Sequence, residues 1–245
     1  MTYDLVIHNG TIVTVNRHFD IIPDGLLCVK GGKLERLETI STSQSLPAAT
    51  EMIDARGGLI MPGLINSHTH LPMTLFRGLA DDLPLDNWLN DHIFPAESAY
   101  IRPHSVHWGT LLACAEMLLS GTTTCCDGYF LEDQVAEAVN TSGMRAVLAQ
   151  GVVDFQAPGV PDPKHNLEIT RAFVFRWQQA SALITPSVFC HSAYTCSGET
   201  LQKAIKKSGT KCKLAAVAVA GSAVITKVIH MPAALSESDM ELQIE

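Results

Sequence analysis

The sequence has little charge, few aromatic residues and none of several common binding motifs. Charged residues make up 17% and aromatic residues 6% of the chain, and 17 basic against 25 acidic residues give a net charge of −8. No block rich in Lys or Arg occurs, which argues against a nucleic-acid partner or an anionic membrane surface. Neither GxGxxG nor GxxxxGK[ST] is present, so no dinucleotide- or phosphate-binding loop is predicted. The H-x-E and P-C-x-x-C pair of cytidine-type zinc deaminases is also absent, which excludes that class.

Long apolar runs and paired cysteines are missing as well. The longest run of apolar and small residues, 214–225, has twelve residues, whereas a bilayer core requires about 20. The N-terminus, MTYDLVIHNG, has no basic region before an apolar stretch, so we expect no secretion signal. Seven cysteines are scattered without a CxxC pair. This odd count favours reduced thiols, most of them small core residues, in a cytoplasmic protein.

Strand patterns dominate residues 1–60. Residues 4–15 are apolar and β-branched around Asn9-Gly10, and residues 25–37 repeat the arrangement around Gly31-Gly32. Each pattern predicts a hairpin with a tight turn at the dipeptide. A sheet of two hairpins is small and needs another layer to pack against.

Residues 61–207 alternate strand patterns with helical ones. A buried strand is predicted at 58–68 and further strands at 122–127, 145–153 and 184–191. Helices are predicted at 104–120, 132–140, 166–179 and after an N-cap at Ser197. This alternation predicts four strand–helix units and a parallel sheet, open or closed. Residues 208–245 lack helical periodicity and end in an acidic segment that we expect to be exposed. Whether 214–225 forms a further buried strand is left open.

Two histidines, His68 and His70, follow the apolar stretch GLIMPGLINS. Because residues i and i+2 of a strand point the same way, both imidazoles should leave the end of one strand together. In parallel α/β proteins ligands bind at the carboxyl ends of the strands, and neutral imidazoles suit zinc. An HxH spacing also arises by chance, but its place at a strand end favours a metal site.

Five segments then appear in a characteristic order. They are PGLINSHTHLPMTLFRGLADDLPLDNWL, IFPAE, LLACAEMLLSGTTTCCD, GMRAVL and HSAYTCSGETL. Together they resemble the amidohydrolase superfamily and, within it, the methylthioadenosine/S-adenosylhomocysteine deaminase and chlorohydrolase branch. The resemblance runs from residue 1 to about 205. It implies an α/β fold with an incomplete TIM-type (β/α) barrel preceded by part of a small β-sandwich.

The resemblance also implies a reaction and a site. His68 and His70 would bind a divalent metal, zinc or another such as iron, which makes a water molecule acidic enough to supply hydroxide for attack on an amino-bearing ring carbon. The substrate would be a purine nucleoside or related N-heterocycle. Trp88 would lie against the purine, Glu97 would accept hydrogen bonds from ribose hydroxyls and His191 would contact the base. In the alternative interpretations without a functional role, Trp88 is an ordinary packing residue and Glu97 is a solvated carboxylate.

Other polar residues are given simpler interpretations. Asp127 ends a predicted strand and is expected to be structural or to support the site. His104, His107 and His165 fall on helix or loop positions and are interpreted as solvated or capping residues. The adjacent acids Asp81 and Asp82 are expected to be solvated.

Parts of the family pattern are not recognisable. The resemblance implies an H-x-x-E at the fifth barrel strand, a histidine at the sixth and a metal-binding aspartate at the eighth, and none is found after residue 207, so the catalytic acid–base residue stays unassigned. Half a barrel leaves an unpaired sheet edge, so we expect an unstable monomer or a homo-oligomer in which edges pair. The alternative to a deaminase is a truncated, non-catalytic remnant with a weak two-histidine metal site, acting at most as an interaction module.

Overall fold

A computed structural model describes residues 2–41, 44–192 and 195–209. Within residues 3–60 it has one five-stranded sheet, formed by β1 (Tyr3–Val13), β2 (Ile21–Lys30), β3 (Lys33–Thr39), β4 (Ala49–Asp54) and β5 (Leu59–Ile60). The order is β3-β2-β1-β4, and β5 also pairs with β1. Strand β2 is antiparallel to β1 and β3, whereas β4 and β5 run parallel to β1. The buried core of this sheet is small and consists of Val6, Leu26 and Cys28.

The two predicted hairpin turns have different outcomes. The turn at Gly31-Gly32 is confirmed, because both glycines have positive φ and join β2 to β3. The turn at Asn9-Gly10 is wrong, since β1 continues through it with irregular register on each side of Gly10. A Cβ on Gly10 would lie 2.8 Å from the Cβ of Ala55 and from a backbone oxygen of the β4–β5 connection. The glycine therefore permits close approach at a bulge rather than a reversal of the chain.

A second, wholly parallel sheet follows. Its strands are β6 (Leu64–Thr69), β7 (Thr122–Tyr129), β8 (Arg145–Val152), β9 (Ile184–Pro186) and β10 (Phe189–Cys190). The order is β10-β8-β7-β6, with β9 also pairing with β8. The predicted parallel sheet is confirmed, although the strand expected at 184–191 is divided between β9 and β10. Among the described strands no pairing joins the β6 edge to the β10 edge, so this sheet is open.

Helices connect these strands. They are α1 (Leu85–Asn87), α2 (Phe94–Tyr100), α3 (Pro103–Leu119), α4 (Glu132–Ser142), α5 (Asn166–Trp177) and α6 (Gly198–Ser208), with 3-10 turns at Leu71–Phe76 and Pro163–His165 and a π-helix at Trp88–Ile93. The predicted N-cap at Ser197 is confirmed, because its side chain accepts a hydrogen bond from the Thr200 amide at 3.2 Å. None of the helices in the described ranges has the length and apolar character needed to cross a membrane.

The core of the second unit lies between β7, β8 and the helices. Leu148 on β8, Val135 and Val139 on α4 and Phe173 on α5 belong to one buried cluster. The apolar spacing that predicts these helices therefore corresponds to faces that pack against the sheet.

The burial predicted for the strand at 58–68 is wrong. Leu64 is 52% exposed and Ile65 is 69% exposed. The physical reason is the position of β6, which pairs with β7 on one side and with no other strand of the described chain. The predicted tail, 208–245, lies outside the described residues from residue 210 onward.

Candidate metal and nucleoside site

His68 and His70 leave the end of β6 toward a common space. Their ring centres are 5.2 Å apart and the ring planes are inclined by 78°. Both residues line a cavity of about 160 Å³, together with Asp127 and Gly128 of β7 and Phe189 of β10. The cavity therefore lies where the carboxyl ends of the parallel strands meet, which is the usual place for a ligand in such sheets.

His70 is held in a defined orientation. Its Nδ1 lies 2.7 Å from the carbonyl oxygen of Gly128. Because a carbonyl can only accept, Nδ1 carries the proton and Nε2 keeps a free lone pair. Burial lowers the pKa of His70, and the neighbouring His68 and His191 lower it further, although the Gly128 carbonyl acts in the opposite direction. The ring is therefore neutral near pH 7, as a metal ligand must be.

The spacing of the two imidazoles fits a single zinc ion. With a zinc–nitrogen bond of about 2 Å, two imidazole ring centres at a tetrahedral angle lie roughly 5 Å apart. The 5.2 Å between His68 and His70 agrees with this separation. Within the described residues, however, no group of three or more His, Cys, Asp or Glu side chains is arranged to hold one ion. A zinc site ordinarily has three or four protein ligands, so the assignment of His68 and His70 as metal ligands stays a prediction.

His191 lies near His70, directly after β10. Its ring centre is 6.2 Å from that of His70 and 5.9 Å from that of Phe189. Its Nδ1 is 2.8 Å from the Thr195 hydroxyl, and burial, with a smaller effect of His68, lowers its pKa. The structure thus brings His191 together with the histidine pair.

Glu97 is buried, with 6% of its surface exposed, so the interpretation as a solvated carboxylate is wrong. It projects from α2 and accepts a 2.6 Å hydrogen bond from the Tyr129 hydroxyl. Burial raises the pKa of Glu97, and the hydrogen bond from Tyr129 acts in the opposite direction. The Tyr129 ring centre is 6.0 Å from that of His70, so Tyr129 links Glu97 to the histidines. Sequence reasoning missed Tyr129, although its place two residues after Asp127 puts both on one face of β7.

Trp88 is half-buried at the start of the π-helix that leads into α2. Among the described residues, the rings of His68, His70 and His191 make no ring contact with Trp88. Trp88 is therefore connected to the site through the chain, since it lies nine residues before Glu97 in sequence. The stacking role expected for Trp88 stays a prediction.

Asp127 of β7 lines the same cavity as the histidine pair. One of its oxygens, Oδ1, accepts hydrogen bonds from the Thr69 hydroxyl and from the Leu71 amide, each 2.7 Å long. Burial raises its pKa to about 7. The neighbouring carboxyl, Glu132, is fully buried, and its pKa is raised by burial and by the charge of Asp127. Sequence reasoning missed Glu132, because an acidic residue in the first turn of a helix is commonly explained by the helix dipole.

The remaining polar candidates lie apart from the cavity. His104 and His165 are exposed, and His107 is half-buried on α3. His104 accepts a hydrogen bond from Trp108, and His165 pairs with Glu168 at 3.1 Å. These contacts are of the kind expected for surface histidines.

The acidic pair and the cysteines have equally simple surroundings. Asp81 and Asp82 are exposed. The six cysteines within the described ranges are free, four of them buried and two half-buried. A larger cavity of about 480 Å³, next to α2 and residues 75–79, contains none of the predicted site residues.

Comparison with known proteins decides the family. The model of the Amidohydrolase family matches residues 59–236.

The chain belongs to the amidohydrolase family. It is 41% identical over 201 residues to 5-methylthioadenosine/S-adenosylhomocysteine deaminase 1 of Syntrophus aciditrophicus, an alignment that covers 82% of this chain and 45% of the relative. It is 43% identical over 204 residues to 5'-deoxyadenosine deaminase of Methanococcoides burtonii, with the same two coverages. In structure it resembles an adenosine deaminase from Xanthomonas campestris with bound zinc, at a TM-score of 0.80 and 32% identity over 84% of this chain and 47% of that one.

These similarities confirm the predicted family resemblance and the α/β fold of a partial TIM-type barrel. The chain spans about half the length of the relatives it matches. The family match continues to residue 236, beyond the segment ending near 205 on which the resemblance is recognisable by motif. The division into residues 1–60, 61–207 and 208–245 stays an interpretation.

Proposed function

We propose that this chain carries part of the active site of a metal-dependent aminohydrolase acting on an adenosine-like nucleoside, of the methylthioadenosine/S-adenosylhomocysteine type. The observation that carries the proposal is the geometry of His68 and His70, two imidazoles at a strand end with ring centres 5.2 Å apart. The relatives named as deaminases of such nucleosides support the substrate class.

His68 and His70 would hold the metal through ring nitrogens, and His70 would use Nε2 because its Nδ1 is bonded to Gly128. When bound, a divalent ion lowers the pKa of water and so supplies a nucleophile near neutral pH. Zinc is the preferred ion, because imidazole suits it and the similar adenosine deaminase structure contains it. Iron is an alternative with the same type of ligand.

The other residues would bind and orient the nucleoside. His191 can donate from Nε2 to a ring nitrogen when its Nδ1 accepts from the Thr195 hydroxyl. Glu97 would accept from ribose hydroxyls with the oxygen that Tyr129 does not occupy. Trp88 would cover the purine face. Water would add to the amino-bearing carbon of the purine, and ammonia would leave.

A second candidate function is metal binding without catalysis, by a module that acts at most in protein interaction. It is favoured by one observation, that the described residues offer two metal ligands rather than three or more. Such a site would hold zinc much more weakly than a completed one. The free cysteines of the described ranges suit a reducing compartment, and we place the protein in the cytoplasm under either function.

Ammonia release distinguishes the two. The purified chain would be incubated with zinc and, separately, with 5'-methylthioadenosine, S-adenosylhomocysteine, 5'-deoxyadenosine and adenosine. The proposal expects turnover of at least one of them, abolished in the double variant His68→Ala/His70→Ala and unchanged in the surface control His104→Ala/His165→Ala. Absence of turnover with every nucleoside, together with zinc content far below one ion per chain after dialysis, would favour the second candidate.

A further inference from the structure

The segment that carries the histidine pair is tied to the end of β7 by four hydrogen-bond contacts, one of which joins the Thr69 hydroxyl to the Cys126 carbonyl oxygen at 2.9 Å. Asp127 Oδ1 accepts from the Thr69 hydroxyl and from the Leu71 amide, each at 2.7 Å. The next residue, Gly128, accepts from Nδ1 of His70 at 2.7 Å. Thr69 and Leu71 are the immediate neighbours of His70 in sequence. Asp127 and Gly128 therefore hold the Thr69 side chain, the Leu71 backbone and the His70 ring.

The other oxygen of Asp127, Oδ2, has different surroundings from Oδ1. Oδ2 is buried, and within the described residues it has no hydrogen-bond donor. Burial raises the pKa of Asp127, whereas the Thr69 hydroxyl, the Leu71 amide and the fully buried Glu132 side chain act in the opposite direction. The backbone at Ala149 and Tyr129 acts to lower the pKa of Glu132. Within the described residues, neither carboxyl oxygen of Glu132 has a hydrogen-bond partner.

Burial disfavours the charged forms of both carboxyls, and the charge of Asp127 raises the pKa of Glu132 further. The contacts of Asp127 with the segment of His70 are therefore those of Oδ1, from the Thr69 hydroxyl and the Leu71 amide. Glu132 is held through its backbone amide, which donates to Gln150 Oε1 at 3.2 Å.

We infer that Asp127 is a positioning residue for the histidine pair. The inference rests on the proposed function for the role of the metal, but the orientation of His70 can be measured without it. Asp127 acts as an acceptor of two hydrogen bonds, so its shape and Oδ1 matter more than its charge.

Three substitutions separate positioning from ordinary packing. Asp127→Asn keeps the acceptor Oδ1 and offers an amide to Glu132, whereas Asp127→Ala removes every contact. Thr69→Val removes one of the two donors to Asp127, together with the contact to the Cys126 carbonyl oxygen, and keeps the β-branched shape. Thr124→Val is a matched change on β7 away from Asp127. Nitrogen-15 spectra of the histidine rings report which nitrogen of His70 is protonated, and competition with a chelator reports the affinity for zinc alone.

The wild type and Asp127→Asn should show the Nδ1–H form of His70, with zinc affinities within about threefold of each other. Asp127→Ala should lose this preference and bind zinc about 10- to 100-fold more weakly, the usual effect of removing a residue that orients a metal ligand. Thr69→Val should fall between them, and Thr124→Val should match the wild type. If Asp127→Ala does not fold, Thr69→Val decides.

A different pattern would overturn the inference. Retention of the Nδ1–H form and of wild-type zinc affinity in Asp127→Ala or, failing that, in Thr69→Val would show that Asp127 contributes packing only. Loss of both in Asp127→Asn would show that charge, not positioning, is required. Failure of the wild type to bind zinc would overturn the proposed function instead, and the tautomer of His70 would still test the inference.

Discussion

Strands β6 and β8 belong to the same parallel sheet but are buried to opposite extents. Along β8 most side chains are buried, and Leu148 is fully so. Along β6 every residue except the last is exposed. Strand β8 has β7 on one side, β9 and β10 on the other and α4 and α5 against it. Strand β6 pairs with β7 and with no further strand of the described chain.

The comparison shows that burial is a property of neighbours rather than of apolar sequence. It also shows that the histidine pair lies on the less protected of the two strands. Its geometry therefore depends on the contacts that β7 makes through Asp127 and Gly128. In a completed barrel a further strand would share this task.

The largest expected effect tests the difference in burial directly. Leu148→Ala should lower the free energy of unfolding by about 2–5 kcal/mol, because it opens a cavity in a packed core. Ile65→Ala, which removes a side chain that is 69% exposed, should cost less than about 1 kcal/mol. Urea denaturation of the two variants measures both values. Equal losses would mean that β6 is covered in solution by something beyond the described residues.

A smaller effect should come from the carboxyl pair that supports β6 through β7. The pKa of Asp127 is raised from 3.8 to about 7 by burial, and that of Glu132 is raised as well. Carboxyls with raised pKa values bind protons more tightly in the folded state. Their stabilising contribution is therefore complete below about pH 4 and is lost as the pH rises through about 7.

Glu132→Gln removes one of these protonation sites and keeps a donor toward Asp127. The free energy of unfolding of the wild type should therefore fall relative to that of Glu132→Gln between pH 5 and pH 8. Urea denaturation at each pH measures this relative change. Glu137→Gln, exposed on the same helix, is the control and should follow the wild type. A difference that does not vary with pH would contradict the raised pKa values.

The elements of the fold were accessible from sequence because their signals are local. The N-cap at Ser197, the turn at Gly31-Gly32 and the apolar spacing of α3 all depend on residues close together in the chain. The exposure of β6 was not accessible, because apolar content indicates which residues favour burial and not whether a partner strand is present. The turn predicted at Asn9-Gly10 was wrong for a related reason, because Gly10 permits a close approach to Ala55, a residue distant in sequence.

The site divides in the same way. His68 and His70 were predictable, because the period of a strand fixes their common direction. Tyr129 and Glu132 were not, because their roles arise from contacts with Glu97 and Asp127 that lie 32 and five residues away in sequence. Asp127 was predicted to be structural or to support the site, but its hydrogen bonds from Thr69 and Leu71 were not predicted.

The smallest expected effect concerns the open edge itself. An unpaired strand edge with exposed apolar residues favours pairing with another chain, and a lysine there opposes it. Ile65→Lys should therefore weaken self-association about fivefold, or about 1 kcal/mol, while the free energy of unfolding of the monomer changes by less than about 0.5 kcal/mol. Sedimentation velocity over a range of concentrations measures the association, and Phe175→Lys, on an exposed face of α5, is the matched control. If both variants associate as the wild type does, β6 is not the contact, and the contrast with β8 reflects exposure to solvent alone.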